Sequence, residues 1–220
     1  MGILKLLSTS SLVLGMSFIL RFVLTLTLAR YLTSSELGVY SWTITAFGIA
    51  CIITNFGLDY FLIRKVPEYR NISMGMVGAL IKNVRNRSMK IVFLLILLIL
   101  PLSFLLVYFF ENAAIYQNEL IIVIFALPFA AISLIYSTSL RGFDFPLKAQ
   151  IIESLLHTGL VLILVFLSFT VFNSLIPFDS RTIVLICIFL FSWVFSSFVS
   201  FFTFKKSVQL PPIDTPSKNP

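Results

Sequence analysis

The sequence predicts an all-α membrane protein: six transmembrane helices with both termini in the cytoplasm. Three observations carry this prediction. First, 59% of the 220 residues are hydrophobic and only 11% are charged, whereas about a quarter of a soluble domain is charged. A chain this size has too little interior to hide so much apolar surface from water. Second, the apolar residues form six blocks, at about 6–29, 37–58, 91–110, 120–140, 151–172 and 182–204, each long enough to cross a hydrocarbon core of about 30 Å as a helix. They do not alternate and are about twice the length of a barrel strand, and a helix satisfies its own backbone in lipid. Third, thirteen of the sixteen Lys and Arg residues fall in the N-terminus, the loops after spans 2 and 4, and the C-terminal tail. Only Arg30 and Arg181 fall in the other loops, and Arg21 lies within span 1. The positive-inside rule then puts both ends in the cytoplasm.

Span 1 is too long for a signal-peptide core and has no small-residue cleavage site after it, so it is read as a retained helix. Its Arg21 costs about 2.5–3.5 kcal/mol to insert, which thirteen Leu, Ile, Phe and Val residues offset at roughly 0.3–0.6 kcal/mol each. At 100° per residue, Ser10, Ser17, Arg21 and Thr25 share a stripe, and such a stripe faces protein or a water-filled cavity. Arg21, with Ser17 and Thr25, is therefore a candidate fixed cation for an anionic substrate. Span 2 has a matching stripe of Ser41, Thr45, Gly48, Asn55 and Asp59. Ser41 and Gly48 are read as helix–helix contacts, and Asn55 and Asp59 as residues bordering a cavity mouth.

The segment from residue 59 to 90 is the one long connection. Between 73 and 90 it mixes Met76, Val77, Leu80, Ile81 and Val84 with Lys82, Arg85 and Arg87. It reads either as a helix lying at anionic headgroups or as an N-terminal extension of span 3. Span 3 is almost wholly apolar and is expected to face lipid. Pro101 and Pro128 are expected to kink spans 3 and 4. Span 5 opens with Gln150, Glu153, Ser154 and His157 on one face; Glu153 and His157, four residues apart, can touch and pass a proton. Ser192, Ser196, Ser200 and Thr203 in span 6 form a small-residue packing face. Residues 1–206 then make one transmembrane lobe, followed by a cytoplasmic, proline-rich tail over 207–220.

The net charge of +7 is dispersed between apolar blocks and forms no basic domain, so no nucleic acid partner is expected. Cys51 and Cys187 sit inside apolar blocks as small packing residues. The sequence holds no metal-spaced His/Cys cluster, paired catalytic carboxylates or glycine-rich phosphate loop, so neither a metal, a cofactor nor an enzymatic activity is expected.

Residues 28–69, LARYLTSSELGVYSWTITAFGIACIITNFGLDYFLIRKVPEY, carry a recognisable combination of motifs. These are Ala29–Arg30–Tyr31–Leu32, Glu36–Leu37–Gly38–Val39–Tyr40, Phe56–Gly57–Leu58 with Arg64, and further on Leu140–Arg141–Gly142. Together they resemble the start of bacterial polysaccharide flippases, the O-antigen and teichoic-acid export family of the multidrug/oligosaccharidyl-lipid/polysaccharide superfamily. The resemblance implies a multi-pass protein of the bacterial inner membrane that moves undecaprenyl-linked oligosaccharide, as in lipopolysaccharide synthesis. It also implies two six-helix lobes rocking about a cationic cavity, with Arg21 placed like the cavity cations. Six spans correspond to one such lobe, so a second lobe or a second copy of the chain is expected as partner. Two other functions compete: a membrane assembly subunit of polysaccharide synthesis, and an enzyme acting on a lipid-linked sugar.

Overall fold

The computed structural model describes residues 3–109, 114–171 and 181–208. They form helices α1 (Ile3–Tyr31), α2 (Ser34–Asn55), α3 (Leu58–Arg70), α4 (Met74–Phe109), α5 (Ala114–Ile124), α6 (Leu127–Gly142), α7 (Pro146–Gln150), a π-helical segment (Ile151–Leu156), α8 (His157–Val171) and α9 (Arg181–Ser207). Among the described residues, six helical stretches are long and apolar enough to cross a membrane: Thr9–Tyr31, Ser34–Asn55, Met74–Leu105, Gln117–Gly142, Pro146–Thr170 and Arg181–Ser207. The six expected spans are all present. Residues 209–220 of the expected tail lie outside the described residues.

The motif residues act locally. Thr33 caps α2 with a capping box: Glu36 N–H donates to Thr33 Oγ1 (3.3 Å), and Thr33 N–H donates to Glu36 Oε2 (2.7 Å). A cap of this kind stabilises a helix start by about 1 kcal/mol and lets α1 reverse into α2 within two residues. At the other end of α2, Phe56 and Gly57 both take left-handed backbone angles, φ 34° and 77°. Glycine adopts that region without strain, and the chain turns sharply into α3. Asp59 therefore belongs to the first turn of α3, where a carboxylate suits the helix dipole. Span 2 ends at Asn55, three residues earlier than expected.

The two readings of residues 73–90 are now separated. They are the first turns of α4, continuous with span 3, and do not form a separate helix lying along the headgroups. Val77, Ile81 and Val84, spaced at one helical turn, are buried against Leu62 and Val66 of α3 and Tyr136 and Leu140 of α6. Protein, not lipid headgroup, covers that apolar stripe. Higher up, Phe93, Leu94, Leu97, Leu98, Leu102 and Leu105 are exposed, as a lipid-facing helix requires. Pro101 sits inside α4. Pro128 falls at the start of α6, just after a break at Phe125 and Ala126 whose N–H groups bond back to Ile122 O (3.2 Å) and Val123 O (2.9 Å). The missing N–H of proline is harmless there.

α6 is the central helix. It packs along α9 through a hydroxyl ladder in which Ser133 Oγ lies 3.1 Å from Ser196 Oγ and 2.9 Å from Ser200 Oγ, all three buried. This is the small-residue face expected in span 6, and it allows the two backbones to approach closely. A larger apolar cluster around Phe47, Leu127, Val165, Phe169 and Ile186 fills one half of the bundle. A second cluster around Leu62, Val66, Tyr136, Leu140 and Phe204 fills the cation-rich half.

Leu140–Arg141–Gly142 closes that second cluster. Leu140 is fully buried, Arg141 pairs with Glu153, and Gly142 lies against α3. A Cβ on Gly142 would sit 2.7 Å from Val66 Cβ and 2.9 Å from Val66 Cγ1. Gly142→Ala is therefore expected to destabilise the protein by about 1–3 kcal/mol, the usual cost of overpacking a dense core. Thermal unfolding in detergent checks this: a lower midpoint is expected. An unchanged midpoint for Gly142→Ala contradicts the close approach.

Candidate functional site

A cavity of about 490 Å³ opens between α1, α2, α6, α8, α9 and the π-helical segment. Arg21 brings the one fixed cation among its lining residues. α2 contributes Tyr40, Ile44, Phe47, Gly48 and Cys51, spaced at three and four residues so that they form one helical face. Glu153, His157, Thr158 and Val161 come from the fifth span, and Phe189 and Trp193 from α9.

Glu153 is held at the cavity wall from two sides. Its Oε1 accepts from Ser137 Oγ at 2.6 Å, and its Oε2 is hydrogen-bonded and ion-paired to Arg141 Nη2. Both partners sit on α6, so the pair ties the fifth span to the central helix. Glu153 also lies inside the π-helical segment. Such one-turn π insertions recur at functional sites because they rotate following side chains out of α-helical register.

His157, the first residue of α8, is gripped by α9. Its Nδ1 lies 2.8 Å from Ser192 Oγ, and its ring lies 4.3 Å from that of Trp193 and 5.2 Å from that of Phe189. Ser192 Oγ also donates to Phe189 O at 2.7 Å. The Ser192 hydroxyl is thus shared between the imidazole and its own helix. Glu153 and His157 thus share a cavity wall, but each has its own partners: Ser137 and Arg141 for the first, Ser192 for the second.

The span 1 stripe divides. Arg21 lines the cavity. Ser17 is buried, with its hydroxyl on Leu14 O (2.7 Å). Thr25 is exposed and bonds to Arg21 O (3.0 Å). Ser10 is tied to the fifth span, its carbonyl accepting from Gln150 Nε2 at 3.1 Å. Asn55 and Asp59 are half-buried at the α2–α3 turn, outside the cavity lining. Gly48, expected as a helix contact, instead faces the cavity: a Cβ there would meet nothing within 4 Å. Ser41, expected in the same role, is exposed. Cys51 packs against the larger apolar cluster, as expected, and also lines the cavity, whereas Cys187 is exposed.

Reasoning from sequence passed over the aromatic wall of Tyr40, Phe47, Phe189 and Trp193. A signal was present: Phe189 and Trp193 stand one turn apart on α9, flanking Ser192 of the small-residue face. In the sequence Arg141 reads as a topology cation and a motif residue; only the fold brings it to Glu153.

Neither the curated proteins nor the solved structures include a match to this chain. A family model described as polysaccharide biosynthesis protein matches residues 3–212, nearly the whole of the six-span bundle built around the Arg21 cavity. The chain belongs to the polysaccharide biosynthesis protein family, within the multidrug/oligosaccharidyl-lipid/polysaccharide flippases.

Proposed function

We propose that the chain moves a lipid-linked oligosaccharide across the bacterial inner membrane, with Arg21 meeting the lipid diphosphate. The observation that carries this reading is the position of Arg21 in the wall of a roomy cavity within the membrane-spanning part of a polysaccharide biosynthesis family member. A fixed cation in a poorly screened site attracts a diphosphate strongly, and a guanidinium matches phosphate oxygens with two parallel hydrogen bonds. The aromatic residues of the same lining offer flat apolar faces to the remainder of the substrate. On this reading Ser17, Asn55 and Asp59 support the geometry around the cavity, and Thr25 holds the Arg21 turn. A second lobe or a second copy of the chain completes the path.

The test is genetic and chemical. Cells lacking the chain are expected to accumulate lipid-linked oligosaccharide on the cytoplasmic side while its synthesis continues. Unchanged surface glycan without accumulation refutes the transport role. Loss of synthesis itself would point to an assembly subunit instead.

The orientation follows from the cation distribution, with both termini and the α3 region in the cytoplasm. Reporter fusions at Glu111 and at Pro220 are expected to report opposite sides. The same side for both contradicts this topology.

A further inference from the structure

A second groove, of about 260 Å³, runs between α4, α6 and α9 and shares no lining residue with the Arg21 cavity. Arg85 and Tyr136 stand at one end, and Phe129, Ile132, Ser197, Phe198 and Phe201 line the rest. The order of these residues matches one leaflet of a bilayer. Arg85 precedes the apolar part of α4 by about two turns, among Lys82, Arg87 and Lys90, which is headgroup level. From Tyr136 the wall climbs α6 through Ile132 to Phe129, seven residues or about 10 Å at helical rise, into the hydrocarbon. On α9, Phe201 gives way to Phe198 in the same direction, and both rings are exposed.

Arg85 is half-buried, and its Nη1 donates to Tyr136 Oη at 3.1 Å. Tyr136 is itself buried, with its ring packed 5.4 Å from Phe201 and 5.3 Å from Phe204. The guanidinium is therefore anchored to a fixed phenol. Among the described residues no carboxylate lies within ion-pair distance of it. A half-buried cation without a protein counter-ion, at the head of an apolar groove, is complementary to a ligand with an anionic head and an acyl tail.

We propose that this groove is a binding site for one anionic phospholipid of the cytoplasmic leaflet, its phosphate on Arg85 and one acyl chain along Ile132, Phe129 and Phe198. The bound lipid bridges α4, α6 and α9 at the cation-rich end. This site differs from the general attraction of basic residues to anionic membranes, because it depends on Arg85 in its groove and not on Arg87, which is exposed on the same helix.

The test is lipid retention by the full chain in detergent, read by native mass spectrometry. The lipids are equimolar phosphatidylglycerol and phosphatidylcholine with identical acyl chains. The unaltered protein is expected to keep one phosphatidylglycerol with about fivefold preference, the scale of one well-placed cation. Arg85→Ala is expected to bring the two lipids to parity, and Arg87→Ala to leave the preference unchanged. Ile132→Trp keeps the charge and fills the groove, so it is expected to lower retention of both lipids; it keeps the test decisive if Arg85→Ala does not fold. Equal effects of Arg85→Ala and Arg87→Ala, or no preference in the unaltered protein, overturn the site. Complete displacement of phosphatidylglycerol by equimolar polyprenyl phosphate also overturns it, since the groove would then belong to an isoprenoid tail.

Discussion

Arg21→Ala is expected to abolish surface glycan at an unchanged level of membrane-inserted protein. A charge-assisted hydrogen bond is worth about 1.5–3 kcal/mol, or roughly 10- to 100-fold in binding or rate. A diphosphate left unpaired inside the membrane costs several kcal/mol more, so loss below detection is the expected outcome. Arg21→Lys keeps the charge but loses the planar fork and is expected to retain part of the export. Thr25→Val removes a hydroxyl bonded to its own helix and is expected to lower export far less than Arg21→Ala. Glycan staining beside an immunoblot of the membrane fraction checks all three. Full export by Arg21→Ala at normal abundance would make Arg21 a structural residue.

Arg141→Ala is expected to be the most destabilising polar substitution in the bundle. Glu153 is largely buried and has Arg141 as its ion-pair partner. Removing one member of a buried pair costs about 3–5 kcal/mol because the other charge is left uncompensated. Arg141 keeps part of its side chain in contact with the surroundings, so a loss of about 2–3 kcal/mol is expected here. The double variant Arg141→Ala/Glu153→Gln removes the orphaned charge while keeping an acceptor for Ser137. It is expected to be more stable than Arg141→Ala alone, a non-additivity that identifies coupled residues. Thermal unfolding of the four proteins of this cycle measures it, and simple additivity contradicts the pairing.

The number of spans and the polar content of the bundle were legible because lipid imposes simple rules. A block of twenty apolar residues has few other fates, and an intramembrane arginine is too costly to point at acyl chains, so Arg21 stood out. Residues 73–90 were less legible. Val77, Ile81 and Val84 repeat at helical spacing whether their stripe rests on headgroups or on α3, and only the tertiary contact with Leu62 and Val66 distinguishes the two. The π-helical segment has no local signature. An ideal α-helical register stacks Glu153 on His157, whereas the structure gives each its own partners on α6 and α9. The role of Gly48 is not legible in the sequence, because a small residue serves equally well to admit a neighbouring helix or to leave a space.

The central claim is that a lipid diphosphate enters the Arg21 cavity, and Cys51 in its wall provides a native reporter. In a Cys187→Ser background, the rate of maleimide labelling at Cys51 can be followed with and without polyprenyl diphosphate, in the assembly that supports export. The diphosphate is expected to slow labelling at least about tenfold when Arg21 is present. With Arg21→Ala, the concentration needed should rise at least about tenfold, equivalent to ~1.4 kcal/mol of lost interaction. Labelling unaffected by polyprenyl diphosphate, or equal protection with and without the Arg21 side chain, would contradict the account.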